Sequence, residues 1–238
     1  MTWRHKLRFG LGLLCLLAGN ALAADDCHPL PTPGTPQYLV GYGSLMEEAS
    51  RLRTAPGAKS ALPVRVQGFR RAWIARGAPV GFGTTFLGVS QDKAARMNAV
   101  LFALAEETEL SNLDAREAGY CRVALAPAQV TPLTGTLPEG ELWLYLNRPE
   151  RTAPPDRRFP IVQSYVDIFL GGCLQIERQH QLAGFTEECV DSTAGWSRHW
   201  VNDRIHPRRP FAHQPNAGAI DALLQRKLPD QFRAIRIE

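Results

Sequence analysis

The 238 residues are 45% hydrophobic and 21% charged, with 27 Lys and Arg against 23 Asp and Glu for a formal net charge of +4. That is the composition of an ordinary folded protein, which excludes a disordered chain. The length suits one large domain, or one domain with an elaborated end. Three of the basic residues, Arg4, Lys6 and Arg8, lie ahead of any acidic one, so without residues 1–23 the charge falls from +4 to +1 and gives no argument for a nucleic-acid partner.

Those first residues read as a cleavable leader. The basic start is followed by a short apolar core, Leu11 to Ala18, and by Ala21-Leu22-Ala23 as a small-residue cleavage site. The core is too short to cross a membrane, and Cys15 lacks the preceding small residues of a lipoprotein site. The expectation is therefore export to the periplasm or beyond, with no stable membrane insertion once residues 1–23 are removed. Four cysteines remain, Cys27, Cys121, Cys173 and Cys189, which permit two disulfides in three pairings. Cys173 and Cys189 are close enough in sequence to bridge a helix–loop corner, which would leave Cys27 to pair with Cys121. No C-x-x-C pair occurs to suggest a zinc or redox site.

Residues 24–37 are proline-rich and form an extended lead-in. Tyr38-Leu39-Val40 predicts a short buried strand that enters a Gly-Tyr-Gly-Ser turn, and Met46 to Arg53 is helical or irregular. Pro63 to Ile74 alternates with period two and reads as a strand. Gly81 to Val89 is glycine-rich and then strand-like, and Met97 to Ala105 is a buried strand. Glu106 to Glu117 suits a short helix, and Tyr120 to Leu125 and Leu137 to Leu146 suit strands. Val162, Val166, Phe169 and Cys173, with Ile176 beside them, step by one helical turn and predict a long helix over Phe159 to Leu182, with Pro160 in its first turn and Gly184 at its end. Strands first and a long helix late point to an α+β domain with a mixed or barrel-like sheet, not to alternating α/β. From Asp191 the chain is rich in Trp, His, Arg and Pro and reads as an extension of little regular structure, apart from a short helix over Ala219 to Leu228. Trp196, Trp200 and Arg208 are expected to pack this extension over the domain. His199, His206 and His213 recur every seven residues, but the prolines between them break any helix that would align them for a metal.

Two segments carry candidate chemistry. In Gly41 to Leu45, GYGSL, glycine lets another group approach the backbone, and the N–H groups of Gly43, Ser44 and Leu45 could cradle a ligand oxygen beside Tyr42. In Leu113 to Leu125, LDAREAGYCRVAL, Glu117 falls at a helix C-terminus. The helix dipole and burial both disfavour its charge and raise its pKa toward the range useful for acid–base catalysis. Tyr120 and Arg122 follow on the next strand, where alternation places both on one side. Arg122 could also simply pair with Asp114.

The strand into Tyr-Gly-Ser-Leu, the Leu-Asp-x-x-Glu near a Tyr, and Pro160-Ile-Val-Gln-Ser-Tyr165 leading to Gly171-Gly172 occur in that order. Together they resemble the γ-glutamylcyclotransferase-like superfamily over residues 38–190. The resemblance implies a small mixed-strand β-barrel flanked by helices, with residues 191–238 as a C-terminal extension packed on it. It implies that the α-amine of a γ-glutamyl substrate attacks its own γ-carbonyl, releasing 5-oxoproline and an amine or amino acid without metal or cofactor. In that scheme Glu117 is the general acid/base, while Tyr42, Gly43, Ser44, Leu45, Tyr120, Arg122 and Tyr145 bind substrate. A non-catalytic binding or structural protein on the same fold is the alternative, and would turn Glu117 away from the Tyr42–Leu45 loop. A transfer to an outside nucleophile would yield no 5-oxoproline.

Overall fold

The computed structural model describes residues 27–78, 81–209 and 215–238. The leader expectation and His213 lie outside these residues. The chain opens with β1 (Gln37–Gly41), a 3-10 turn (Ser44–Met46) and α1 (Glu48–Leu52), followed by the long hairpin β2 (Ala61–Gly77) and β3 (Thr84–Leu104). After it come α2 (Glu107–Arg116), β4 (Tyr120–Leu125), β5 (Val130–Pro132) and β6 (Glu141–Asn147). Then follow β7 (Ile161–Val162), α3 (Gln163–His180), α4 (Phe185–Asp191), β8 (Thr193–Ala194) and β9 (Trp200–Asn202). The end is built from α5 (Ala217–Lys227), α6 (Pro229–Arg233) and β10 (Arg236–Ile237).

The main sheet runs β4-β6-β1-β3-β2-β5, with β8 added on β2, and it curls into a half-barrel flanked by helices. It is mixed: β1 pairs antiparallel with β3 and parallel with β6. Because β1 is interior, both of its faces are buried, and neighbouring residues go to opposite sides. Leu39, Phe102 and Trp143 join the core under the helices. Val40, Leu101 and Leu142 join the core inside the curl. This is why the strand reads as a continuous apolar run and not as an alternation.

Several elements differ from the sequence expectation for visible reasons. Gly81–Val89 and Met97–Ala105 are not separate strands. They are the two ends of β3, whose polar middle bulges opposite Gly68 and stays in the hairpin. Pro160 does not start the long helix. Its carbonyl accepts from Thr85 N–H, and Ile161-Val162 pairs in parallel with β9 before α3 begins. The end of α3 is set by Gln181 in the left-handed region at φ 53°, while Gly184, at φ 83°, sits ahead of α4. On α3, Val166, Phe169, Cys173 and Ile176 are buried as their spacing predicts, and Val166, Phe169 and Ile176 each contribute about 1.5–3 kcal/mol as large apolar side chains fully enclosed.

The extension is more regular than its composition suggests. β8 joins the main sheet, and β9 lies between β7 and β10 in a second, all-parallel sheet. Trp196 stacks on Trp200 at 5.3 Å and meets Trp73 of β2 edge-on at 5.1 Å. Arg208 donates to Gly83 O and pairs with Glu238. Disulfides join Cys27 to Cys121 and Cys173 to Cys189. The first closes 94 residues of chain and ties the lead-in to β4. Among the described residues, no helix is long and apolar enough to cross a membrane.

Candidate active site

The turn after β1 is held from behind by two buried arginines. Arg71, on β2, donates to Tyr42 O at 3.2 Å, and Arg51, on α1, donates to Leu45 O at 3.0 Å and Met46 O at 2.6 Å. The carbonyls of Gly43 and Ser44 accept from Met46 and Glu47 N–H. Among the described residues, no protein carbonyl accepts from the N–H groups of Gly43, Ser44 or Leu45. Donors without an intrahelical partner open any helical turn. Ser44 N–H meets the hydroxyl of Tyr165. The two glycines are required by close packing. A Cβ on Gly41 would lie 2.9 Å from Leu45 Cβ, and one on Gly43 would lie 2.6 Å from the Tyr165 hydroxyl.

Glu117 is the C-cap of α2, its N–H bonded to Leu113 O and its carbonyl accepting from Tyr120 N–H, both at 2.8 Å. The short helix and the tight return into β4 aim its side chain at the turn. Its neighbour Arg116 links the two segments. Arg116 Nε lies 3.2 Å from Glu117 Oε1, while its Nη atoms donate to Ser44 Oγ, Ser50 O, Ser50 Oγ and Thr54 Oγ1. Burial raises the Glu117 pKa, and the Arg116 and Arg209 charges oppose that shift without reversing it.

Two adjoining hollows meet at Glu117. The inner one is narrow, ≈ 40 Å³, and is lined by Val40, Leu87, the Tyr42–Leu45 turn, Glu117 and the rings of Tyr120, Tyr145 and Tyr165. The outer one, ≈ 180 Å³, shares Ser44, Glu117, Tyr120 and Tyr165 and adds Phe86, Arg116 and Arg209. Four of the chain's five tyrosines therefore surround one carboxylate. Burial is the main cause that raises the pKa of each ring. Tyr42 and Tyr120 lie well above the usual phenol value and Tyr165 is pushed up to about 12, so all three are neutral hydroxyls at physiological pH. A larger hollow, ≈ 250 Å³, lies elsewhere, over Asp167, Gln175 and Arg178 of α3, and holds none of these groups.

Of the residues named from sequence, Tyr42, Gly43, Ser44, Leu45, Glu117, Tyr120 and Tyr145 line the inner hollow. Arg122 does not. It is 2% exposed, pairs with Asp114 at 2.9 Å, donates to Pro29 O and lies 4.3 Å over the Trp143 ring. The Tyr145 hydroxyl also donates to Asp114, at 2.6 Å, so this tyrosine presents its ring to the hollow with its polar end tied behind. Besides the apolar Val40, Phe86 and Leu87, three polar lining residues were not assigned to the site from sequence. Arg116 adjoins Glu117, and Tyr165 stands in the quoted Pro160–Tyr165 motif, so both had a local signal. Arg209 comes from the extension, with no signal in its own neighbourhood. His199 and His206 are exposed, and among the described residues no group of three His, Cys, Asp or Glu side chains could hold a metal.

The chain is similar to a solved γ-glutamyl cyclotransferase, 17% identical over 64% of this chain and 85% of the other, with a TM-score of 0.49. It is similar in the same degree, 17% with a TM-score of 0.49, to an uncharacterised protein from Homo sapiens, over 66% of this chain and 87% of that one. A yeast γ-glutamyl cyclotransferase specific to glutathione is 13% identical over 67% of this chain and 98% of its own, with a TM-score of 0.41. No family model and no curated protein matches the chain. At these identities the functional reading rests on the residues of the site.

Proposed function

We propose that the chain is an exported γ-glutamylcyclotransferase-like enzyme that cyclises a γ-glutamyl amide to 5-oxoproline and releases an amine or amino acid. The observation that carries this reading is the placement of Glu117. It stands where both hollows meet, across from the Gly43 and Leu45 N–H groups, which have no carbonyl acceptor among the described residues, with its pKa raised by burial. A carboxylate so placed can accept a proton from the substrate's α-ammonium. The freed amine attacks the γ-carbonyl carbon, and the carbonyl electron pair moves to oxygen. The developing oxyanion is met by donors of the turn and by neutral tyrosine hydroxyls. Glu117 returns that proton to the departing nitrogen as the oxyanion collapses and the C–N bond breaks, and the carboxylate so freed takes the second proton from the ring nitrogen and passes it to the released amine, which leaves as an ammonium. Ring closure within one molecule supplies a large effective molarity, so folding the chain of the substrate is itself a catalytic act. A narrow, tyrosine-walled hollow suits that task. The step consumes no cofactor.

A purely structural role predicts a Glu117 engaged away from the turn. Its ion pair is instead with Arg116, which also donates to Ser44 of that turn. Export is supported by the leader pattern and by the two disulfides, which persist in oxidising compartments. The test is to incubate the protein with γ-glutamyl amino acids, γ-glutamyl amines and glutathione and to assay 5-oxoproline, with Glu117→Gln alongside. Release that depends on Glu117 is expected. Folded protein that gives none from any of these overturns the reading.

A further inference from the structure

Among the described residues, the extension contributes one charged group to the cavity, Arg209, and its guanidinium has no hydrogen-bond or ion-pair partner there. Arg209 is positioned through its backbone: its N–H donates to Ser164 Oγ at 3.2 Å, and Ser164 in turn donates to the buried Asp203 through N–H at 2.7 Å and Oγ at 2.6 Å. Asp203 also accepts from Arg208 N–H at 2.8 Å. This clamp fixes the extension against the first turn of α3, directly beside Tyr165. The guanidinium itself is treated differently from the other arginines of the site. Arg116 is bonded to Ser44, Ser50, Thr54 and Glu117. Arg209 has, among the described residues, no carboxylate within ion-pair distance and no hydrogen-bond acceptor, and lies 5.8 Å over the Phe86 ring. The charged groups lining the outer hollow are therefore two cations and the single anion Glu117. An unpaired cation in a concave, part-buried site calls for an anion from the ligand.

We propose that Arg209 makes the outer hollow a carboxylate subsite for the leaving group, so that γ-glutamyl amides of amino acids are preferred over γ-glutamyl amides of simple amines. The inference rests on the cyclisation reading in this respect: the α-amine must reach Glu117, which places the glutamyl unit against the turn and its departing nitrogen toward the outer hollow. A carboxylate one carbon from that nitrogen then falls on the Arg209 side. The proposal gives the extension a function that residues 38–190 do not supply.

The probes are γ-glutamyl-alanine and γ-glutamyl-ethylamide, which differ by the leaving group's carboxylate alone. Calorimetric titration uses the Glu117→Gln protein, so that turnover does not consume them, and the same protein with Arg209→Gln or Arg209→Lys. With Arg209 present, γ-glutamyl-alanine is expected to bind about 10-fold more tightly, the worth of one charge-assisted contact in a part-exposed site. Arg209→Gln is expected to bring the two ligands to parity, and Arg209→Lys to keep part of the preference. Unfolding temperatures are expected to stay nearly level, since among the described residues the guanidinium has no ion pair or hydrogen bond to lose. Equal weakening of both ligands overturns the proposal, because Arg209 would then hold the glutamyl carboxylate that they share. An initial lack of preference, or no binding of either probe, overturns it as well. Measurement of 5-oxoproline from the unsubstituted protein separates the two readings. No turnover with an intact carboxylate preference sinks the cyclisation and leaves the subsite standing.

Discussion

Asp114 and Glu117 lie one helical turn apart at the end of α2, and each faces an arginine, yet their surroundings are opposite in kind. Asp114 is fully engaged by protein: Arg122 donates to both of its oxygens and Tyr145 to one, and Arg122 is itself tied to the lead-in through Pro29 O, near the Cys27 disulfide. Glu117 has a single ion-pair partner among the described residues, faces two hollows and is surrounded by neutral phenols. The first arrangement holds a wall in place. The second leaves backbone donors of the turn and the Arg209 cation without protein acceptors among the described residues, which costs stability unless a ligand offsets it. A polar cluster in a fold is thus read by what it leaves unmet, more than by which residue types it contains.

That contrast can be broken in order of expected effect. Glu117→Gln is expected to lower 5-oxoproline release by about 10²–10⁴-fold, the contribution of a positioned acid/base, while the folded structure persists. Residual activity near that of the unsubstituted protein would remove Glu117 from the chemistry. Arg122→Met strikes the closed cluster instead. It is expected to cost about 2–3 kcal/mol in chemical denaturation, since it strands the part-buried Asp114 without its cation. If Arg122→Met abolished turnover without loss of stability, the division between the two carboxylates would fail. Gly43→Ala forces a methyl group against the Tyr165 hydroxyl and is expected to cost about 1–3 kcal/mol by overpacking. Tyr165→Phe in the same chain should recover part of that loss, and a double-mutant cycle measures how much.

The smallest effect concerns the cost of the site itself. The folded-state pKa of Glu117 is raised, so the folded protein holds this proton more tightly than the unfolded chain does. The penalty of ionising it is absent below the unfolded value and complete above the folded one. Glu117→Gln is therefore expected to be slightly more stable than the natural chain near neutrality, with the advantage fading on acidification. The same shift places the acidic limb of the kcat/KM profile above the ordinary glutamate range, because the carboxylate must be ionised to accept the ammonium proton. A stability gap that widens as pH falls would contradict the burial argument.

The local features of the site were legible without coordinates. The glycines at 41 and 43 announced a close approach, and the apolar spacing before Glu117 placed it at a helix end, because such signals depend on residues within one turn of each other. The α3 stripe was equally plain, as its burial follows from the period of the helix. Legibility failed where polarity misled: the charged middle of β3 looks like a loop, yet it continues the strand as a bulge, and the Trp- and Pro-rich extension looks irregular, yet sheet pairing holds its β8 and β9.

What residues 1–238 determined alone was therefore a mixed α+β chain with a backbone turn and a glutamate suited to meet. Tertiary structure decided which groups surround them. Strand register sent Arg122 to Asp114 and out of the hollow, although alternation put it on the same side as Tyr120. The arrival of α3 and the extension supplied Tyr165 and Arg209. The physical reason is range. Caps and periodicity are written in neighbouring residues, whereas the field at a carboxylate is the sum of charges and burial brought from every part of the chain.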